Sequence, residues 1–333
     1  MEDTRLRIDD KLALTYRGAP LGESEADFGD LTRSNDCLHD REELWRRFGA
    51  EGYLYLPGLL DTDEVLAART EIMQRLWDAS ILDKSYPMLD GVAIPEVDYN
   101  GAATGPFMPY LAKNNPPLDK VLYAGPMIEF YELFLGGAVS HFDYTWFRCK
   151  RPGRHDATTP HCDIVYMGRG TKDLYTSWTP FGDVPFEMGG LMLLEGSHLN
   201  QSLKQGYGAT DVDTYCSNEG NQHEIVERAR AEERELTAEE RQSIRWHSSG
   251  AFSGDAISTR EELDGRWLTA EFKMGDLLIF SMYTLHASSD NRSKSVRISS
   301  DSRYQLASQP QDERWIGDDP PAHGMRAKKG MVC

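Results

Sequence analysis

Apolar and polar positions follow two rhythms along this chain, and the change between them divides it. Between Arg41 and Leu135 the spacing is mostly helical. REELWRRFGAEG, starting at Arg41, predicts a short helix leading into the strand-like run Tyr53-Leu54-Tyr55-Leu56 and then Pro57-Gly58. Asp61 with Glu64 reads as a capping box, and Val65, Leu66, Ile72, Met73 and Leu76 form an apolar helical stripe through Trp77. Such a stripe signals core packing. A second helix is predicted from Leu118 to Leu135, stopped by Gly136-Gly137.

From about Tyr144 the rhythm shortens to apolar or aromatic runs separated by Gly, Pro, Asp and Asn: YTWFRC, DIVYM, LYTSWTPF, GLMLL, WLTAEF, DLLIFSMYTL and VRISSDSRYQL. This predicts a mainly β fold, a sandwich or open barrel, with flanking α-helices. Residues 199–265, rich in Glu, Arg, Ser and Gly, interrupt the runs. With a capping box of their own at Thr237-Ala238-Glu239-Glu240, they read as an insertion carrying a helix. Residues 1–40 are polar and read as an N-terminal arm, laid over the surface or partly disordered, ahead of a single domain at 41–333.

Composition narrows the function. About 40% hydrophobic residues suffice for a substantial core, and the formal charge of −18 disfavours nucleic acid and anionic membranes as partners. No segment is apolar and long enough to span a bilayer, and the acid-containing first twenty residues resemble no leader peptide, so the expected location is cytoplasmic. Cys37, Cys149, Cys162, Cys216 and Cys333 are scattered without a C-x-x-C pair and are read as reduced thiols. Oligomeric state has no signature here.

Two imidazoles and one carboxylate on one face of a metal, with positions left open, suit non-haem iron oxygenases. The chain offers two H-x-D triplets, His141-Phe142-Asp143 and His161-Cys162-Asp163. The second is preferred: it follows the loop KRPGRHDATTP, where ligands at a strand edge could face a cavity, and residues i and i+2 of a strand share a side. His286, ending the apolar run that starts at Gly275, is the candidate remote ligand, although a hydrogen-bonded core histidine would look the same. Arg297, if it points inward, supplies the planar fork that captures a carboxylate.

These motifs, with Ser177-Trp178-Thr179, Gly190-Leu191-Met192, Glu195-Gly196-Ser197-His198, GDLLIF at 275–280 and the pairing of His286 with Arg297, resemble the phytanoyl-CoA dioxygenase family of iron(II)/2-oxoglutarate oxygenases over residues 41–305. The resemblance implies a double-stranded β-helix, a cupin-like jelly roll. It implies iron(II) on His161, Asp163 and His286, 2-oxoglutarate as cosubstrate with its distal carboxylate on Arg297, and O₂. Ser288 and Trp178 match positions that border the cosubstrate. Glu195 stands where the family usually has Pro, and His198 is expected to be a turn residue. The implied reaction hydroxylates a small organic molecule, releasing succinate and CO₂; the carboxylate at Asp163 disfavours a halogenase. Alternatives from other classes are a metal-dependent hydrolase with zinc on the same residues and a non-catalytic ligand-binding barrel. The insertion is expected to be a lid over the open end, and the acidic chain to prefer a neutral or cationic substrate over a CoA thioester.

Overall fold

The computed structural model describes residues 14–22, 24–94 and 107–333; residues 1–13 and 23 of the expected arm lie outside it. Two β-sheets face each other as a double-stranded β-helix. The larger runs in the order Tyr53–Leu56, Leu277–Ser281, Tyr175–Pro180, Arg297–Leu306, Val139–His141, and Trp146–Lys150 pairs the first half of Arg297–Leu306. The smaller runs His286–Ser288, Leu191–Leu194, Trp267–Thr269, Phe28–Asp30. Its last pairing is parallel, so part of the expected arm is stitched into the sheet.

Period-2 alternation explains how one strand serves two cores. Tyr53 and Tyr55 enter the layer between the sheets with Trp178, Leu193, Leu278 and Phe280, whereas Leu54 and Leu56 turn outward with Leu277 and Ile279. The outward face is covered by helices Arg41–Glu51, Thr62–Asp78 and Gly125–Leu135, whose apolar stripes include Leu44, Ile72 and Phe134. Truncating a fully buried residue such as Leu54 to Ala should cost about 2–5 kcal/mol. Asp61 caps the second helix by accepting from the N–H groups of Asp63 and Glu64, while the Glu64 carboxylate pairs with Lys120.

Several expectations need correction. The helix foreseen from Leu118 to Leu135 is two helices, Pro116–Tyr123 and Gly125–Leu135: Ala124 is extended, and Pro126 in the first turn of the second helix has no N–H to continue the first. DIVYM is not a strand; Ile164–Met167 form one helical turn, with Asp163 at its start. The five cysteines are not all free, since Cys216 and Cys333 form a disulfide. The tail strand Lys329–Met331 lies parallel to Thr214–Cys216 and brings the two cysteines together, a juxtaposition that their remoteness in sequence hides.

The region 199–265 carries four α-helices, including Ala238–Ser243 with the expected reciprocal capping box between Thr237 and Glu240. It builds a small core of its own from Tyr215, Ile225, Val226 and Leu236, completed by Met325 of the tail. No helix among the described residues is long and apolar enough to cross a membrane.

Candidate active site

His161 and His286 form an isolated antiparallel bridge in which each backbone N–H donates to the other's carbonyl, at 3.0 and 2.9 Å. Residues paired this way project side chains to the same face, and the two rings lie 4.1 Å apart between centroids. Each ring is oriented by its own backbone: Nδ1 of His161 bonds the Thr159 carbonyl at 2.7 Å, and Nδ1 of His286 the Thr284 carbonyl at 3.0 Å. A carbonyl can only accept, so Nδ1 carries the proton and both Nε2 lone pairs face inward.

Asp163 completes the group. Its Oδ1 lies 3.9 Å from each Nε2, and its Oδ2 is occupied, accepting from the Thr176 hydroxyl and, at 2.9 Å, from Arg303. One oxygen is thereby left for a metal. Among the described residues these are the cluster able to hold an ion, with ligand atoms within 4.8 Å of one another. The electrostatics agree. Burial and the neighbouring His286 lower the pKa of His161 to about 3, and burial lowers that of His286, so both rings are neutral donors. Burial would raise the Asp163 carboxyl, but Arg303 and the imidazoles outweigh it and keep it ionised. Two neutral imidazoles and one carboxylate on one side are the donor set that suits iron(II).

The remaining expected residues, Arg297, Trp178 and Ser288, are buried as well. Arg297 is 2% exposed, with its guanidinium over the Trp178 ring at 5.7 Å and Nη1 donating to the Ser299 hydroxyl at 3.2 Å. Its Nε and the Trp178 Nε1 are buried without partners. Buried donors without partners are rare, and both of these could donate to a carboxylate. Ser288 is buried and its Oγ accepts from Lys150 Nζ and the Thr158 N–H. A pocket of about 260 Å³ opens on the triad, with Phe107, Tyr144, Trp146, Arg148, Tyr166 and His323 in its wall. A larger groove of about 770 Å³ is lined by Arg33, Asp36, Arg46 and Arg47 and contains none of the triad.

The rival triplet stays apart. His141 stacks on Tyr123, and the Asp143 carboxylate accepts from the Gly317 N–H. His198 is the turn residue expected, bonded to the Gly49 carbonyl; it packs on Gly52, whose φ of 77° ends the first helix and where a Cβ would strike the imidazole. Sequence reasoning missed Thr176, Arg303, Lys150 and the tail residue His323. For Arg303 a signal existed: it stands an even number of residues from Arg297 in one strand and so shares its face.

The insertion touches the metal-bearing segment directly. Phe252 N–H donates to the Pro160 carbonyl at 2.8 Å, and the Tyr207 hydroxyl accepts from the Cys162 N–H while donating to the Gly250 carbonyl. Gly250 has φ 88°, and a Cβ there would run into the Tyr166 hydroxyl at the pocket wall.

Fold and triad together define a non-haem iron, 2-oxoglutarate-dependent dioxygenase. A family model for phytanoyl-CoA dioxygenase (PhyH) matches residues 48–299, and the chain belongs to that family. It is similar to the 1-deoxypentalenic acid 11-beta-hydroxylase of Streptomyces exfoliatus, 26% identical over 285 residues covering 82% of this chain and 85% of the relative. The enzyme of that name from Streptomyces arenae is 27% identical over 84% of this chain and 87% of its own. In fold the chain is similar to EctD from S. alaskensis, solved with 2-oxoglutarate and 5-hydroxyectoine (TM-score 0.54, 14% identity, 96% of this chain and 95% of that one). It is likewise similar to the epimerase SnoN, solved with Fe3+, alpha ketoglutarate and nogalamycin RO (TM-score 0.50, 19% identity, 84% and 92%).

Proposed function

We propose that His161, Asp163 and His286 hold iron(II), that Arg297, Trp178 and Ser288 receive 2-oxoglutarate, and that the enzyme hydroxylates a small, largely apolar molecule in the adjoining pocket. The observation that carries this is the division of labour on Asp163: Thr176 and Arg303 occupy Oδ2, and Oδ1 faces two Nε2 atoms whose rings are locked by backbone carbonyls. Bound iron with 2-oxoglutarate supplies the oxidation of an unactivated C–H bond by O₂, with succinate and CO₂ released. The protein's own residues orient these groups and shield them. Aromatic Phe107, Tyr144, Trp146 and Tyr166 supply an apolar wall, and Arg148 and His323 supply polar anchors. The curated relatives, named as hydroxylases of an acid, favour hydroxylation as the outcome.

The insertion at 199–265 acts in this reading as the substrate lid, because its inner edge at Tyr207, Gly250 and Phe252 rests on the metal-bearing segment. Anaerobic loading with iron(II) and 2-oxoglutarate, followed by O₂ and a metabolite panel, tests the whole. One compound should raise succinate formation and gain one oxygen atom. Succinate formation that is indifferent to iron, or a hydrolysed product in its place, would sink the assignment.

A further inference from the structure

The tail of the chain returns to the triad's pocket and leaves one side chain in its wall. His323 lines that pocket together with His161 and Asp163. Its Nδ1 lies 2.9 Å from Oδ2 of Asp213, a carboxylate of the insertion that is 0% exposed and also accepts from Arg314 and Lys328. Burial would raise the Asp213 carboxyl, but the hydrogen bond from His323 and the Lys328 ammonium outweigh it and keep it ionised. Arg314 and Lys328 balance the charges of Asp213 and Asp312, so the imidazole need supply only a hydrogen bond. An ionised carboxylate can only accept. Nδ1 therefore carries the proton, and Nε2 is left without a partner among the described residues.

Neighbouring rings fix the direction of the imidazole. It stands edge-on to Trp315, with centroids 4.9 Å apart, and against Tyr166 at 5.8 Å, while Tyr166 in turn meets the ring of His161 at 5.5 Å. One aromatic ring thus separates His323 from a metal ligand. The backbone is pinned as well: the Ala322 N–H donates to the Arg314 carbonyl, the Met325 N–H to the Glu235 carboxylate, and Arg169 reaches the Ala327 carbonyl. Ala322 has φ 50°, a conformation that residues with a Cβ rarely adopt, so the turn presents His323 at a cost in backbone conformation. Elsewhere in the wall, Phe107, Trp146 and Met167 are apolar and Arg148 can only donate, while tyrosine and threonine hydroxyls rotate to suit either kind of partner. Nε2 of His323 is an acceptor held in one direction.

We propose that His323 is a specificity-determining residue whose Nε2 accepts a hydrogen bond from a hydroxyl of the organic substrate, so that the pocket selects an apolar alcohol over the same skeleton without the O–H. The inference deepens, and rests on, the reading that this pocket receives the molecule to be oxidised. A skeleton without the hydroxyl would cover the imidazole nitrogen and leave it unpaired, the penalty by which a polar site rejects an apolar analogue. The hydroxyl is an anchor and not the reacting group, because Tyr166 stands between His323 and His161.

The test is equilibrium binding of cyclohexylmethanol and of (fluoromethyl)cyclohexane, in which fluorine replaces the hydroxyl at nearly the same size. The protein is loaded with iron(II) and 2-oxoglutarate under nitrogen, and binding is read from the iron(II)–2-oxoglutarate absorption band. The ratio of affinities, alcohol over fluoride, should fall roughly 10-fold in His323→Phe and in His323→Lys, the loss of one hydrogen bond to a covered acceptor. Phe keeps a ring against Trp315 and Tyr166, and Lys keeps a donor for Asp213, so one variant serves if the other fails to fold. His323→Gln, with both a donor and an acceptor, should recover part of the ratio. Ring-nitrogen NMR shifts of His323 in the parent should report a proton on Nδ1 and none on Nε2. A ratio unchanged in both Phe and Lys variants, a proton on Nε2, or a parent that binds neither probe overturns the proposal. So does tighter binding of cyclohexanecarboxylate than of the alcohol that is lost in His323→Phe, since Nε2 would then be a donor. A protein that forms no iron(II)–2-oxoglutarate band would instead overturn the functional reading beneath it.

Discussion

His161 and His286 hold each other in place through their own backbones: each N–H donates to the other's carbonyl, so the two imidazoles leave one short antiparallel bridge side by side. A metal joining them therefore reinforces a contact already present. The ligand geometry is set before binding, which limits what ordering a metal must do.

Substitution of a triad member should abolish iron binding, while substitution in the rival triplet should not. His286→Ala and Asp163→Ala are expected to lose most bound iron and all coupled turnover, and Asp143→Ala to retain both, since Asp143 merely accepts from the Gly317 N–H. Metal analysis of the purified variants decides it. Iron lost from Asp143→Ala alone would reverse the assignment.

Arg303 positions Asp163 without reaching the metal side of the carboxylate. Removing it leaves Oδ2 with Thr176 alone and a buried charge short of its partner, so Arg303→Ala should weaken iron by about 10–100-fold, the usual effect of losing a hydrogen-bonded support behind a ligand. Arg303→Lys should recover part of this. An Arg303→Ala protein with parental iron affinity and an unchanged iron(II)–2-oxoglutarate absorption band would refute the role.

Arg297→Ala should weaken 2-oxoglutarate far more than iron, because the guanidinium lies over the Trp178 ring and donates to the Ser299 hydroxyl, whereas the support of Asp163 comes from Thr176 and Arg303. Lysine at position 297 should rescue it only in part, lacking the planar fork. Unchanged cosubstrate affinity in the alanine variant would mean that another cation carries the carboxylate.

How much of this was legible beforehand differs from residue to residue. The triad could be found because its three residue types stand at motif spacing, and the mainly β architecture because apolar alternation changes period near Tyr144. The local argument for Asp163 was nevertheless wrong: it shares no strand with His161 but opens the helical turn Ile164–Met167. Arg303 owes its role to its register opposite Thr176, in the ladder between Arg297–Leu306 and Tyr175–Pro180, and Lys150 owes its place beside Arg297 to the ladder between Trp146–Lys150 and Arg297–Leu306. Register between distant strands leaves no mark in either segment alone. The same holds for Cys216 with Cys333 and for Phe28–Asp30 beside Trp267–Thr269, contacts made by folding between remote segments.

The metal-free protein should lose stability as pH falls. His161 and His286 have an ordinary pKa of 6.5 in the unfolded chain, but burial depresses both in the fold, His161 to about 3. Below pH 6.5 the unfolded chain binds protons that the folded protein refuses, so folding loses about 1.4 kcal/mol per pH unit for each imidazole until the folded pKa is reached. Above pH 6.5 these groups contribute no slope. Unfolding of chelator-treated protein, followed from pH 7.5 to 5, should show this, and a His161→Gln, His286→Gln double variant should show a shallower dependence. Parallel curves for the two proteins would remove the imidazoles as the cause.

The tail is fastened to the insertion by charge as well as by the disulfide, and Asp213 is where the bonds converge. Its Oδ1 accepts from Lys328 at 2.5 Å, and its Oδ2 from Arg314 at 2.7 Å and His323 at 2.9 Å, all around a carboxylate 0% exposed. Asp213→Asn keeps the shape and removes the charge, leaving Lys328 and Arg314 buried with less compensation; Arg314 retains Asp312. Breaking a buried ion group from one side typically costs about 3–5 kcal/mol. The exposed pair Arg326–Asp319, whose carboxylate is 89% exposed, provides the contrast: Asp319→Asn should cost about 0–1 kcal/mol. Urea unfolding of the two variants measures the difference directly. Because His323 lines the pocket, Asp213→Asn should also raise KM for the organic substrate more than it lowers iron affinity. Equal stability losses in Asp213→Asn and Asp319→Asn would show that the buried network does not secure the tail.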